Sequence, residues 1–158
     1  MKNLQDLSVV VPLASRESAW RTLVGDLKRL PSGTEVLFVS PEDEPREDSQ
    51  YIDFKYSRKW TRGEPTVRWV KSAVGRAVQL NQGARSTQKK FVWFLHSDCD
   101  VDDVAFAALD RSLDERPDHL HYFDLKFRGD GPKWMRLNEW GVKLRTRIFG
   151  IPFGNLKV

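Results

Sequence analysis

Three observations along this chain predict an α/β fold, a three-layer α/β/α sandwich around a mostly parallel sheet. Strand-like runs alternate with segments of helical period, the layout of α/β architectures. The first such triplet is a β-α-β unit, and a right-handed crossover would set its two strands side by side and parallel. The most informative run, Phe91-Val-Trp-Phe-Leu95, is apolar and aromatic, and it stops abruptly at His96-Ser97-Asp98-Cys99-Asp100. A run of that kind reads as a buried central strand, and the residues after it then lie at the carboxyl edge of the sheet, where open α/β folds take their ligands.

Leu7-Ser-Val-Val-Val-Pro12 is a strand by its β-branched content, with the proline at its exit. Residues 17–30 place Trp20, Leu23, Val24, Leu27 and Leu30 at helical spacing, and Pro31-Ser-Gly33 supplies the stop. Glu35-Val-Leu-Phe-Val39 is the second strand. Residues 40–65 are polar and punctuated by Pro41, Pro45, Gly63 and Pro65; within them 51–56 suit a short strand or a helical turn equally. Thr66-Val-Arg-Trp-Val70 predicts a strand, 75–86 a helix, 91–95 the next strand and 101–113 a further helix. The alternation in 119–127 predicts another strand, Gly129-Asp-Gly-Pro132 a turn, and 133–149 a last helix with a basic stripe (Lys133, Arg136, Lys143, Arg147) beside its apolar one.

The chain has 158 residues, 40% hydrophobic and 30% charged, which predicts one ordinary globular domain. No apolar run approaches the ~20 residues of a membrane span, and the amino terminus lacks the apolar core of a signal peptide. A lone cysteine, Cys99, forms no internal disulfide, so the expected compartment is the cytoplasm. The formal net charge of +4 conceals blocks: residues 51–98 carry ten basic and three acidic side chains, and residues 121–158 carry eight and three. Basic surface attracts nucleic acid, anionic lipid or phosphorylated small molecules, and a solvated basic face gives the same count. Nucleic-acid binding is the weaker reading, because Trp69 and Trp134 fall on predicted packing faces and no zinc-finger, helix-turn-helix or RNP-type pattern is present. Gly-x-Ser-x-Gly, Walker-type and Gly-x-Gly-x-x-Gly patterns are also absent from the sequence.

The chemistry concentrates after residue 95. Two carboxylates at i and i+2, Asp98 and Asp100, can converge on one hard divalent cation, Mg²⁺ or Mn²⁺, and such a cation grips phosphate oxygens. Asp102 and Asp103 equally suit helix capping. His96 suits a metal ligand, a nucleotide contact or a structural histidine. Arg76, at the start of its helix, can add a donor to the same phosphates. Carboxylate neighbours of Cys99 disfavour its thiolate.

Taken in order, Leu7-Ser-Val-Val-Val-Pro12, Gly75-Arg-Ala-Val-Gln79-Leu-Asn81-Gln-Gly83-Ala84 followed by the 91–98 stretch, and Gly150-Ile-Pro-Phe-Gly154 resemble the family-2 glycosyltransferases, whose catalytic domain has the Rossmann-like GT-A fold. The likeness is closest to the arsenosugar-biosynthesis-like subgroup and covers nearly the whole chain. It implies transfer of a sugar from a nucleotide-diphosphate donor to an acceptor hydroxyl with a divalent metal. In that reading Asp98 matches the metal-binding aspartate of the DxD loop, Asp100 supplements it, and His96 stands where the first aspartate lies near the ribose. Pro12, Asp43, Arg76, Gln79, Asn81 and His96 would line the donor, with Gly83 shaping helix packing nearby. Residues 1–100 form the donor half of a single domain and 101–158 part of the acceptor side. The family's catalytic base would lie beyond Val158, so the resemblance describes a GT-A domain incomplete at its carboxyl end. An inactive nucleotide- or partner-binding module of the same fold, covering its open apolar surface as a homodimer, is the alternative.

Overall fold

A computed structural model describes residues 1–43 and 65–123. Strands β1 (Leu7–Pro12), β2 (Glu35–Ser40), β3 (Thr66–Lys71) and β4 (Phe91–Phe94) form one four-stranded sheet in the order β3-β2-β1-β4. Every pairing is parallel, with Val9 opposite Val36 on one side and Trp93 on the other, and Val36 opposite Val67. Helices α1 (Trp20–Leu27), α2 (Arg76–Ser86) and α3 (Asp103–Glu115) cover it. All of these elements belong to a compact unit, Met1–Pro117, and residues 118–123 begin a second, Asp118–Val158.

The two-residue period of the strands sorts the apolar side chains onto two faces. Val9, Val11, Val36 and Phe38 pack with Trp20, Leu23, Val24 and Leu27 of α1 and with Phe106, Leu109 and Leu113 of α3. Val10, Leu37, Val39 and Val70 form a second core, against which Leu80 of α2 packs. Two helices on one face and one on the other make the expected three layers. Trp69, on β3, is a core residue as predicted: its ring lies 5.8 Å from that of Trp20, which in turn lies 5.4 Å from Phe38.

The handedness of the crossovers follows from this sorting. The chain passes from β1 to β2 and β3 on one side, then returns through α2 on the opposite face to β4 on the far side of β1. Close contact makes the return possible, because a Cβ on Gly83 would come within 2.3 Å of Val10 Cγ1 and 3.1 Å of Val39 Cγ2. Only a glycine lets α2 lie this near the sheet.

Several expectations are refined. Among the described strands β1 and β2, not β4, hold the central places; β4 pairs with β1 alone and its Val92 is exposed. An apolar aromatic run reports burial against one neighbouring layer as readily as a central position, and here Trp93 packs edge-on against Phe106 at 6.4 Å. Helix α1 is shorter than 17–30, since residues 28–30 close only single turns (Arg29 N–H to Asp26 O, 3.2 Å) before Pro31. Residues 119–123 hold no strand and expose Leu120, Tyr122 and Phe123, so alternation there lacks the neighbouring ladder a strand requires. The predictions for 51–56, 124–127 and 133–149, and the Gly150-Ile-Pro-Phe-Gly154 segment, fall outside the described residues. Among the described residues no helix is long and apolar enough to cross a membrane.

The amino edge of the sheet is closed by side chains. Ser8, fully buried, donates to Glu35 Oε2 at 2.6 Å and also meets Thr87 Oγ1. Arg68 bridges Glu35 Oε1 and the Ser86 carbonyl. Burial alone would raise the Glu35 pKa; the bonds from Ser8, Arg68 and Thr87 outweigh it and hold the carboxyl below its ordinary value.

Candidate functional site

The chain leaves β1 toward β2 on one side and re-enters at β4 on the other, while α1 and α3, which follow β1 and β4, pack on the same face of the sheet. This reversal of strand order is the topological switch point, the place where open parallel sheets form a ligand crevice at their carboxyl edge. The loop after β4 is the one singled out by its His and carboxylates.

Both loops are fixed at their roots by backbone bonds. Leu95 N–H reaches Val10 O at 3.0 Å, and Leu13 N–H reaches Val39 O at 2.8 Å. Gln79 on α2 adds a third tie. Its buried amide nitrogen donates to Leu13 O at 2.6 Å and Val39 O at 3.1 Å, so both of its N–H groups are committed to the ends of β1 and β2. The predicted donor contact is thus met by a residue that works on the scaffold, and it anchors the helix on which Arg76 sits three residues earlier. Gly75 starts that helix at φ 131°, a backbone conformation open to glycine, and no side chain caps the helix there.

Arg76, His96 and Asp98 come together. The Arg76 guanidinium contacts His96 Nε2, and His96 Nδ1 lies 2.8 Å from Asp98 Oδ1. Arginine has only donors to offer, so a hydrogen bond at that contact requires the lone pair on Nε2 and the ring proton on Nδ1, facing the carboxylate. A guanidinium, an imidazole and a carboxylate therefore form one line of contacts across α2 and the β4 loop. Asp100 stands exposed two residues further along this loop. Between the carboxylates, burial first and then Asp98 and Asp100 push the Cys99 thiol up, which keeps it protonated and inert.

The remaining candidates lie elsewhere. Pro12 is buried at the end of β1. Asn81 is exposed on α2, five residues past Arg76 and so turned well away from it around the helix. Asp43 pairs with Lys71 Nζ at 2.7 Å beyond the ends of β2 and β3. Asp102 proves to be the N-cap of α3, accepting from Ala105 N–H at 2.8 Å, and Asp103 sits in the first turn, 3.7 Å from Arg29 Nε.

Two further carboxylates, Glu17 and Glu42, hold the loops in place. Glu17 bonds the buried Ser97 hydroxyl with one oxygen and takes Ala14 N–H at 2.9 Å with the other, joining the β1 and β4 loops. Glu42 accepts Arg16 N–H at 3.1 Å, and its carbonyl accepts Trp69 Nε1–H at 3.0 Å. Arg16 itself adopts φ 61°, the left-handed region that costs a side-chain-bearing residue about 1–2 kcal/mol. An acidic residue just before an apolar helix is the visible trace of Glu17; its partner, 80 positions away, leaves none.

Among the described residues no three His, Cys, Asp or Glu side chains converge as a closed metal cage. The set present is an open one: exposed carboxylates on a loop, with a cation nearby. Mg²⁺-type ions in phosphate sites are held in this way, by one or two carboxylates plus the oxygens of the ligand.

No family model matches the chain, and no curated protein does. Among solved structures, the crystal structure of S. aureus TarS 1-349 is similar at 20% identity with a TM-score of 0.49, over 70% of this chain and 33% of that one. The chain thus spans about a third of the length of that structure.

Proposed function

We propose that this chain binds a nucleotide-diphosphate sugar in the crevice between the β1 and β4 loops and serves glycosyl transfer from it, with a divalent cation. The observation that carries the reading is the Arg76–His96–Asp98 line at the switch point of a parallel sheet. A diphosphate needs a cation donor and a metal-holding carboxylate close together. An arginine and an exposed carboxylate lie near each other here, at the carboxyl edge of a parallel sheet, and that placement supports the reading. The order of sequence segments resembling the family-2 glycosyltransferases supports the same assignment.

In this reading the Arg76 guanidinium takes phosphate oxygens as a charge-assisted donor. Asp98, with Asp100 beside it, would hold Mn²⁺ or Mg²⁺. When bound, that ion offsets the negative charge that develops on the departing nucleotide. His96 keeps the other two side chains in register. Gln79 and Glu17 fix the crevice walls, the first through α2 and the second across the loops. The base for the acceptor hydroxyl is not assigned to any described residue.

Calorimetric titration with UDP and GDP, with and without Mn²⁺, tests the reading. Metal-dependent binding that disappears in Asp98→Ala and weakens in Arg76→Ala is expected. Intact protein that binds neither nucleotide under any metal condition would overturn it.

A further inference from the structure

We propose that His96 is a spacer, an imidazole ring that lies between the Arg76 guanidinium and the Asp98 carboxylate, contacts both and so prevents them from pairing with each other. The inference rests on the roles given above to Arg76 and Asp98, and it concerns how two opposite charges can both remain available in one small site. Only the width of the ring separates them: Nε2 faces the guanidinium and Nδ1 lies 2.8 Å from Asp98 Oδ1. The His96 and Asp98 side chains are 44% and 69% exposed, so packing does not hold them apart.

Arginine and carboxylate groups free to move pair directly, commonly through two parallel hydrogen bonds. Such a pair would spend the guanidinium donors that a phosphate needs and the oxygens that a metal needs. An imidazole of the Nδ1–H tautomer satisfies both neighbours with one acceptor and one donor. The orienting partner of a metal ligand commonly matters almost as much as the ligand. Here the partner also serves as a partition.

The test uses the full 158-residue chain and two independent readouts. In the ligand-free protein, ¹⁵N NMR of the His96 ring is expected to show the proton on Nδ1; the Nε2–H tautomer would overturn the spacer whether or not any nucleotide binds. Mn²⁺ affinity, measured without nucleotide, is expected to fall about 10–100-fold in His96→Ala. Adding Arg76→Ala in the same chain is expected to recover much of the Mn²⁺ affinity, because no guanidinium remains to cover Asp98. A double variant no better than His96→Ala would overturn the spacer and leave His96 as a simple contact. Should the intact protein bind neither Mn²⁺ nor UDP, the glycosyl-transfer reading fails, and the ring tautomer still decides the arrangement of the three side chains.

Discussion

The two edges of the sheet handle polar groups in opposite ways. At the amino edge, Ser8, Glu35, Thr87 and Arg68 close on one another, and Asn3 pins the first turn to α3 by donating to Asp110 Oδ1 at 2.9 Å. There burial and mutual bonding serve stability. At the carboxyl edge, buried Gln79, Ser97 and the loop roots are tied down, while His96, Asp98 and Asp100 stand at the surface. One edge spends its charges on the fold, and the other keeps them within reach of solvent on a rigid base. A ligand site needs that second arrangement, in which the scaffold is fixed and the chemistry is exposed.

Helix α2 is the strut common to both, with Arg76 at the carboxyl edge and Ser86 at the amino edge, so the sharpest way to break the contrast is to lift it off the sheet. Gly83→Ala would drive a methyl group into Val10, and a net loss of about 2 kcal/mol is expected, overpacking set against alanine's better helix propensity. Denaturant unfolding measures the loss, and nucleotide titration should weaken in the same variant. If stability and binding are both unchanged, α2 does not couple the edges.

Glu35→Ala is expected to cost about 1–3 kcal/mol by leaving the buried Ser8 hydroxyl and Arg68 without their carboxylate. The same carboxyl carries a pH signature. Its folded pKa lies below its unfolded one, so its contribution is fully present above about pH 4.5 and is lost as pH falls through the folded value. Stability measured against pH should therefore fall less steeply on the acid side in Glu35→Gln than in the intact chain. Nucleotide binding should be untouched in either variant.

At the carboxyl edge the expected effects on folding are small and of either sign. Arg16→Gly should raise stability by about 0.5 kcal/mol, relief of left-handed strain less the entropy of a glycine, readable as a shift of the unfolding midpoint. Asp98→Ala should change folding by less than about 0.5 kcal/mol, as exposed substitutions usually do. Its effect is expected in metal-dependent nucleotide binding instead. A large loss of stability in Asp98→Ala would show that the β4 loop is structural after all and erase the distinction between the edges.

Local order was largely legible from the residues. The β-branched run 7–12 and the helical spacing of Leu23, Val24 and Leu27 declare their elements, and the parallel β-α-β start follows from crossover handedness. The 91–100 stretch declared a strand and the polar loop that follows it. These are short-range matters of period, propensity and punctuation, and they are written in neighbouring residues. The chain had no means of declaring that β4 pairs only with β1 among the described strands, or that Gln79 is spent on two carbonyls. Nor could it announce that Glu17 meets Ser97 and that His96 stands between Arg76 and Asp98. Each of these joins residues distant in sequence through a single side-chain geometry, and a hydrogen bond has no periodicity to leave behind. Strands and helices were fixed by local physics; which polar groups the fold consumes, and which it leaves for a ligand, was decided only when α2 closed over the sheet.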